Sequence, residues 1–368
     1  MQQHRHAPAA TPVPTAPRHP ETTATGRVTA GMRAARLHRP GQPLQLDVVP
    51  RPEPHGTEVL VRVAAAGLSA CDLDVLDGVE EVPLPQTPGH EVAGHVAALG
   101  PRARGVALGE AVLVHGWWGC GTCPECRAGE EHLCAEARRP GAAAPGGFAD
   151  FLLVPHPRSL VPLGALDPAA AAPLADAGLV TYRAVHTAAS VLAPGSAAVV
   201  IGCGGLGQLA VQMLRLLTPA RVLVVDSDHR KEAPAREAGA DRFIDLQDWH
   251  AVRGALGDLP AMAVLDFSGS DATVELGARV LAPGGLLVVC GRGPGKLRLA
   301  LLPLPPGAAA VTERGGSRAD LEAVVELARS GRLRLRVQRY QLDRVNDAVT
   351  ALRAGWVRSR AVIVPRMA

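Results

Sequence analysis

The chain has 368 residues, of which 47% are apolar, 20% are charged and 3% are aromatic. A chain of this length predicts two domains, each large enough to bury its own core. The 38 basic residues nearly balance the 35 acidic ones, and a net charge of +3 argues against a nucleic-acid surface that works by neutralising phosphates. The few aromatic residues also argue against a platform for stacking bases.

The seven cysteines indicate the redox compartment. Four of them fall between positions 120 and 134, and three stand alone at positions 71, 203 and 290. An odd total with one tight cluster fits a reduced compartment and a metal site better than a disulfide framework. The sequence has no apolar run of about 18 residues and no apolar signal-peptide region, so we expect a cytoplasmic protein without membrane contact.

The first part of the chain, over residues 1–161, consists of two segments of different composition. Residues 1–31 are rich in proline, alanine and threonine with almost no large apolar residue. Such a segment cannot offset its ordering entropy by burial, which predicts a disordered tail. From Met32 to about Val161, short apolar runs separated by glycine and proline predict a mostly antiparallel β domain with a barrel-like core. Predicted strands cover 58–66, 91–99, 111–115 and 148–154.

The second half predicts a different architecture. An alanine-rich helical stretch begins near Asp167, and from Ala197 onward apolar strands alternate with helical patterns. This alternation is typical of a doubly wound parallel sheet, so the whole is an α/β protein. Pro234 lies inside one helical pattern and should shift its start or kink it. Predicted strands cover 197–201, 221–225, 262–267, 285–290 and 361–364, and predicted helices cover 208–217, 231–238, 271–281 and 318–330.

A glycine-rich turn joins the strand at 197–201 to an amphipathic helix. The turn reads Gly202-Cys203-Gly204-Gly205-Leu206-Gly207. Its glycines let the backbone approach a pyrophosphate at the positive end of the helix. Asp226 ends the next strand, 19 residues after Gly207, where a carboxylate accepts from ribose hydroxyls and repels a 2′-phosphate. The motif predicts NAD(H) rather than NADP(H), with Cys203 as a buried residue without a chemical role.

Four cysteines lie in a loop with little predicted regular structure: Cys120, Cys123, Cys126 and Cys134. Four thiolates at this spacing can surround Zn²⁺ tetrahedrally and leave no open position, which predicts a structural zinc lobe over 119–135. An iron–sulfur cluster is the alternative, but seven residues rather than three precede the fourth cysteine, and no proline follows it. We expect zinc to fold this loop rather than take part in a reaction.

With these motifs the chain resembles the zinc-dependent medium-chain alcohol dehydrogenases from about residue 32 to the C-terminus. The resemblance extends to Gly89-His90-Glu91 with Gly94 and Gly100 after it, and to Arg360 in the closing strand. The stretch Pro-Leu-Ala-Asp-Ala-Gly-Leu at 173–179 is most similar to the bacterial secondary-alcohol branch, in which that aspartate binds zinc.

The resemblance implies an organisation and partners. It implies a GroES-like catalytic domain over 32–178 and 317–368, a Rossmann cofactor domain over 179–316, and an active site in the cleft between them. Arg360 would belong to the cofactor site. A small alcohol or carbonyl substrate and a homodimer or homotetramer are further implications.

The catalytic zinc of this family binds a cysteine, the histidine of Gly-His-Glu, and a third cysteine or aspartate, with the glutamate close by. By position His90, Glu91 and Asp176 match. The cysteine does not match, because Ser69 occupies the ligand position and Cys71 occupies that of the hydroxyl that begins the proton relay.

This exchange leaves two outcomes open for the catalytic metal. A serine hydroxyl is a poor Zn²⁺ ligand, and one lost ligand costs about 3 kcal/mol if the roughly 10–16 kcal/mol of a four-ligand site is shared evenly. In an extended segment Cys71 would face the cleft but lie about 6.5–7 Å from the ligand position. Either the loop slides and Cys71 binds zinc, or the site is weak or empty. Asp74 stands where some members have a relay histidine.

With zinc, the sequence predicts an NAD(H)-dependent alcohol dehydrogenase or ketone reductase acting on a secondary alcohol or carbonyl. The proton would pass through the hydroxyl position, Cys71 or Ser69. Without zinc, the same scaffold would reduce an enone or imine, or would bind NAD without catalysis. Residues that could shape the substrate cleft are Trp117, Trp118, Gly315 and Gly316.

Overall fold

The computed structural model describes residues 31–245, 249–293, 295 and 304–365. The predicted tail over 1–31 lies outside the described residues except for Gly31, which begins the first strand. None of the described helices is both long and apolar enough to span a bilayer.

The strands are β1 Gly31–Arg36, β2 Gln45–Pro50, β3 Val59–Leu68, β4 Glu91–Leu99, β5 Ala111–Val114, β6 Phe151–Val154, β7 Leu160–Pro162, β8 Ala197–Ile201, β9 Arg221–Asp226, β10 Arg242–Asp245, β11 Ala261–Asp266, β12 Leu281–Val289, β13 Ala309–Thr312, β14 Val337–Gln341 and β15 Arg360–Val364. The α-helices are α1 Ala70–Leu76, α2 Pro124–Arg127, α3 Pro168–Ala171, α4 Ala177–Ala189, α5 Gly205–Leu217, α6 Glu232–Ala238, α7 Trp249–Leu256, α8 Asp271–Val280, α9 Arg318–Arg329 and α10 Val345–Arg353. Short 3₁₀ turns cover Glu131–Leu133, Pro157–Ser159, Ala172–Ala175, His229–Lys231 and Leu342–Arg344.

The first large sheet is mostly antiparallel, as predicted. Its order is β14-β15-β3-β4-β5-β7, with β6 also paired to β3. Only the β14–β15 pair is parallel among the described strands of this sheet. The closing strand β15 returns to pair with β3, so the C-terminal segment completes the sheet that the N-terminal half begins. Valines of β3 and the fully buried Phe148 fill its core.

The second large sheet is parallel throughout, as predicted, and its order is β10-β9-β8-β11-β12-β13. All five residues of β8 are buried because helices cover both faces of the sheet. The strand order reverses between β8 and β11. Ligands of doubly wound sheets bind in the crevice at the carboxyl ends of the strands at such a point.

Three local predictions can be compared with the structure. The predicted strand over 148–154 is shorter, because Phe148 bonds to Ala35 and Pro88 and the ladder with β3 begins only at Phe151. Pro234 lies in the first turn of α6, where a missing N–H costs nothing, and a 3₁₀ turn precedes that helix. The predicted domain boundary after residue 178 falls inside α4, a continuous helix.

The segment that contains Ser69 and Cys71 is not extended. β3 ends at Leu68, and α1 begins at Ala70 with Ser69 as its N-cap. The Ser69 hydroxyl accepts the N–H of Cys71, and the Asp72 carboxylate accepts the N–H of Ser69, which forms a capping box. Cys71 therefore lies in the first turn of a helix, and the geometry of an extended strand does not apply to its side chain.

Candidate active site

The four cysteines of the predicted zinc lobe converge on one point. Their Sγ atoms all lie within 4.8 Å of one another, and those of Cys120 and Cys126 are 4.0 Å apart. Four Zn–S bonds of about 2.3 Å in a tetrahedron separate the sulfurs by roughly 3.8 Å, so the spacing fits one zinc ion.

Backbone N–H groups of the lobe donate to two of its sulfurs. Amide N–H groups of Thr122 and Cys123 donate to Cys120 Sγ, and that of Cys126 donates to Cys123 Sγ. The Thr122 hydroxyl and the amide N–H groups of Thr122 and Cys123 lower the pKa of Cys120 to about 6. The Cys126 N–H opposes the shift at Cys123, but burial and the neighbouring side chains raise the pKa of Cys123 to about 12. Gly119 leaves room for the cluster, because a Cβ there would lie 2.4 Å from Cys126 Sγ.

A second cluster joins three side chains from distant parts of the chain. Cys71 in α1, His90 just before β4 and Asp176 just before α4 place their ligand atoms within 4.8 Å of one another. His90 Nε2 lies 3.3 Å from Asp176 Oδ2, yet this buried nitrogen makes no hydrogen bond. An unpartnered imidazole nitrogen facing a thiol and a carboxylate is a donor set that suits zinc. Cys71 reaches this position without the sliding that the extended segment would have required.

Asp72 orients the histidine of this cluster, a role that the sequence analysis missed. Asp72 Oδ1 lies 3.3 Å from His90 Nδ1 and accepts the Gly89 N–H at 3.0 Å. Because Asp72 binds His90 at Nδ1, the Nε2 atom of His90 is left free for a metal. The signal was present in the capping box Ser-x-x-Asp, which fixes the Asp72 carboxylate at the start of α1.

The electrostatics of this cluster favour a positive charge. Burial lowers the pKa of His90, but Asp72 and Asp176 more than offset it and hold that pKa well above its usual value. Burial raises the pKa of Asp176, but the interaction with the nearby His90 ring brings it below its usual value. A divalent cation at this point would supply the same positive charge.

Glu91 lies beside the cluster in a fully buried ion pair. Arg360 of β15 donates from Nη2 to Glu91 Oε1, which also accepts the Ala177 N–H at 3.3 Å. Burial raises the pKa of Glu91, although Arg360 opposes this. Arg360 also packs on the glycine-rich turn, because a Cβ at Gly205 would lie 2.6 Å from its Cδ. The pair therefore connects the closing strand, the cluster and the turn.

The cluster opens into a cleft of about 480 Å³ between the two sheets. Cys71, Asp176 and Trp117 line one side, and Leu206 and Phe267 line the other. Gly315 also lines the cleft and packs on Trp117, where a Cβ would lie 2.4 Å from the indole nitrogen.

The other two cleft candidates point elsewhere. The Trp118 indole N–H donates to the His115 carbonyl, and Trp118 lines a different cavity. The Gly316 carbonyl accepts from the His115 ring.

A second cavity, of about 330 Å³, lies at the glycine-rich turn. Its lining includes all the predicted cofactor residues of the turn, namely Gly202, Gly204, Gly205, Leu206 and Gly207. Gly207 is required by close packing, because a Cβ there would lie 2.0 Å from the Gly202 carbonyl oxygen. Leu206 and Phe267 line both cavities, which therefore form one crevice.

Asp226 lines the same cavity at the end of β9. Its carboxylate accepts the N–H groups of Cys203 at 2.6 Å and Asp228 at 2.9 Å. Lys231, which the sequence analysis missed, pairs with it at 3.0 Å. Cys203 is fully buried, and burial raises its pKa to about 12.

The chain thus joins a parallel, doubly wound sheet to a mostly antiparallel sheet, with a polar cluster in the cleft between them. Two family models match the chain: "Alcohol dehydrogenase GroES-like domain" over residues 55–165 and "Zinc-binding dehydrogenase" over residues 205–330.

Known proteins resemble the chain over most of its length. An NAD-dependent alcohol dehydrogenase of Sulfurisphaera tokodaii is 35% identical over 91% of this chain and 100% of its own. A D-arabinose 1-dehydrogenase (NADP(+)) of Saccharolobus solfataricus is 35% identical over 90% of this chain and 97% of its own. The crystal structure of an alcohol dehydrogenase from Aeropyrum pernix superposes with a TM-score of 0.85 at 35% identity, over 90% of this chain and 100% of that one. The chain belongs to the zinc-binding, medium-chain alcohol dehydrogenase family, which confirms the resemblance seen in the sequence.

Proposed function

We propose that this chain is an NAD(H)-dependent alcohol dehydrogenase or ketone reductase that exchanges a hydride with a secondary alcohol or carbonyl. The observation that carries the proposal is the cluster of Cys71, His90 and Asp176, which faces a cleft continuous with the glycine-rich turn. It agrees with family membership, which makes the chain an oxidoreductase acting on CH–OH groups.

Cys71, His90 and Asp176 would hold the catalytic zinc, and Cys120, Cys123, Cys126 and Cys134 the structural zinc. When bound, zinc polarises the substrate oxygen, and NAD(H) exchanges hydride with the carbon that bears it. Asp72 keeps the His90 ring in one tautomer. The ion pair of Glu91 and Arg360 forms the buried floor of the site. Leu206 and Phe267 line both cavities and would border the space that the nicotinamide and the substrate share.

Ser69 is the residue that we propose to hold the exchanging proton. Among the described residues that line the cleft it carries the sole hydroxyl group. Its Oγ lies 3.2 Å from Asp72 Oδ2, a carboxylate that also orients His90. In this proposal Cys71 binds the metal from the position where the family has the relay hydroxyl. Ser69 carries the proton from the position where the family has the metal-binding cysteine.

Asp226 supports NAD(H) as the cofactor. A buried carboxylate at the end of β9 would lie close to a 2′-phosphate and repel it, even though Lys231 balances part of its charge. Because like charges in contact cost several kcal/mol, we expect Asp226→Ser to raise kcat/KM for NADP(H) relative to NAD(H) by about tenfold or more. Steady-state kinetics with both cofactors measure this ratio, and an unchanged ratio would contradict the assignment.

We also propose the wider organisation that the family implies. The catalytic domain would comprise 32–178 and 317–368, and the cofactor domain 179–316, with α4 connecting them. A homodimer or homotetramer in the cytoplasm is the proposed state, with a small alcohol or carbonyl as substrate.

Zinc content of the purified chain tests the proposed function. We expect two zinc ions per chain in the wild type and one after Cys71→Ala, with NAD⁺-dependent oxidation of secondary alcohols strongly reduced in that variant. Cys290→Ala is the matched control, because Cys290 is a thiol that lines the same cleft but lies outside the cluster. One zinc in the wild type, or two in Cys71→Ala, would contradict the proposal.

A further inference from the structure

A guanidinium from the parallel sheet lies against the proposed metal ligand of α1. Arg292 follows β12, and its Nη1 is 3.4 Å from Cys71 Sγ. The same side chain pairs with Asp74 of α1 through Nε at 2.8 Å and with Glu80 through Nη2 at 3.5 Å. One arginine therefore spans the cleft and contacts a thiol and two carboxylates on its far side.

The backbone on either side of Arg292 is fixed by the parallel sheet. The N–H of Gly291 donates to the Asp266 carbonyl at 3.0 Å, and that of Gly293 to the Ser268 carbonyl at 3.1 Å. Neither glycine has room for a side chain, since a Cβ would lie 2.2 Å and 2.6 Å, respectively, from the backbone at 268–269. The backbone position of Arg292 is thus set by the segment that follows β11, while Asp74 of α1 and Glu80 orient its guanidinium.

We propose that Arg292 is a positioning residue for the catalytic metal centre, which donates an N–H to the Cys71 thiolate and holds it toward His90 and Asp176. This inference rests on the proposed function, in which Cys71 binds the metal. Metal ligands are commonly oriented by hydrogen bonds from groups around them, and such partners are worth about 10–100-fold in affinity. His90 has Asp72 in this role, and Arg292 gives Cys71 the corresponding partner.

The two carboxylates decide which part of the guanidinium meets the sulfur. Asp74 accepts from Nε, and Glu80 lies closest to Nη2, so Nη1 is the nitrogen that remains for Cys71. Their negative charges also balance Arg292, which therefore does not present a surplus charge to an anionic substrate. Arg314 also lines the cleft and is exposed like Arg292, but it forms no ion pair with the residues that the structure describes.

Release of zinc to a chelator tests the proposal. Wild type, Arg292→Ala, Arg292→Lys and Arg314→Ala, each first saturated with zinc, are mixed with excess chelator, and the zinc released is followed with time. We expect Arg292→Ala to release one zinc about tenfold faster or more, while its second zinc, held by the four cysteines, leaves at the wild-type rate. Arg292→Lys, which keeps a cationic donor, should be intermediate, and Arg314→Ala should match the wild type.

Cobalt substitution separates an effect on the thiolate from an effect on domain packing. We expect the thiolate-to-cobalt absorption of Cys71, defined by its loss in Cys71→Ala, to shift in Arg292→Ala and to be partly restored in Arg292→Lys. Asp74→Asn weakens the contact of Arg292 with α1 but keeps the Arg292 N–H that donates to Cys71 Sγ. The cobalt spectrum of this variant should therefore stay closer to that of the wild type.

Equal zinc release and identical spectra for Arg292→Ala and Arg314→Ala would overturn the proposal for Arg292 alone, provided that the wild type binds two metal ions. A wild type that binds only the metal of the four-cysteine lobe would instead overturn the proposed function.

Discussion

The two candidate metal centres of this chain differ in how the sequence encodes them. The four cysteines of the lobe lie within one loop, and backbone N–H groups of that loop donate to their sulfurs. The cleft cluster takes one ligand each from α1, the start of β4 and the start of α4. A site within one loop can be identified from the spacing of its ligands in the sequence. A site assembled from distant segments depends on where each helix or strand begins, which the ligand spacing does not show.

The largest expected effects come from removing one thiolate from each centre. Cys71→Ala should lower kcat/KM by about 10³-fold, because the metal supplies several kcal/mol of charge stabilisation, and should lower the free energy of unfolding less than Cys126→Ser does. Cys126→Ser should instead lower the free energy of unfolding by about 3 kcal/mol, the share of one ligand in a structural zinc site.

Urea unfolding and steady-state kinetics of the two variants measure this contrast, with Cys290→Ala as the control for loss of a cleft thiol. Equal losses of stability in Cys71→Ala and Cys126→Ser would contradict a division into one chemical and one structural centre.

The buried pair beside the cleft cluster should give the next largest effect. Arg360→Met leaves the Glu91 carboxylate without its partner in a fully buried position, which should cost about 3 kcal/mol of unfolding free energy. Arg339→Met is the matched control, because Arg339 pairs with Asp167 on the same sheet but both side chains are about half exposed. Such a pair contributes about 0–1 kcal/mol. Similar losses in both variants, measured by urea unfolding, would argue against a special role for burial at the cluster.

Ser69 tests the cleft cluster at the position where the sequence departs from its family. Ser69→Ala removes the N-cap of α1 and should cost about 1 kcal/mol of unfolding free energy, while both zinc ions remain bound. Activity should fall by about 10²-fold if the hydroxyl carries the exchanging proton. Zinc analysis decides between the alternatives, since loss of one zinc in this variant would make Ser69 rather than Cys71 the ligand.

Much of the molecule could be predicted from local patterns. The four-cysteine lobe, the glycine-rich turn and Asp226 are encoded in short spacings, and the alternation of strands and helices predicted the parallel sheet. The placement of Cys71 could not be predicted from an extended-strand geometry, because the Ser69–Asp72 capping box starts a helix at Ala70.

The contacts of Arg292 and Lys231 were missed for a related reason. A side chain that reaches across a cleft or back to a strand end leaves no periodic signal in the sequence. Arg292 meets Cys71, 221 positions earlier in the chain, only because the two sheets face each other across the cleft.

The smallest expected effect concerns His115, which connects the two regions. It lies four residues before the lobe, and its buried ring nitrogen Nε2 donates to the Gly316 carbonyl at 2.9 Å beside the cleft. Burial lowers the pKa of His115 from the ordinary value of 6.5, despite the opposing hydrogen bond to Gly316. As pH falls below about 6.5, His115 becomes protonated in the unfolded chain but stays neutral in the folded chain. The free energy of unfolding should therefore decrease.

His115→Gln keeps a side-chain N–H for the Gly316 carbonyl but cannot titrate, so its loss of stability between pH 7.5 and 5.5 should be smaller than that of the wild type. Urea unfolding of both proteins at saturating zinc measures the difference and cancels the contribution of the other histidines. Identical pH profiles would mean that His115 is protonated equally in the folded and unfolded chains. The junction between lobe and cleft would then not depend on a neutral imidazole.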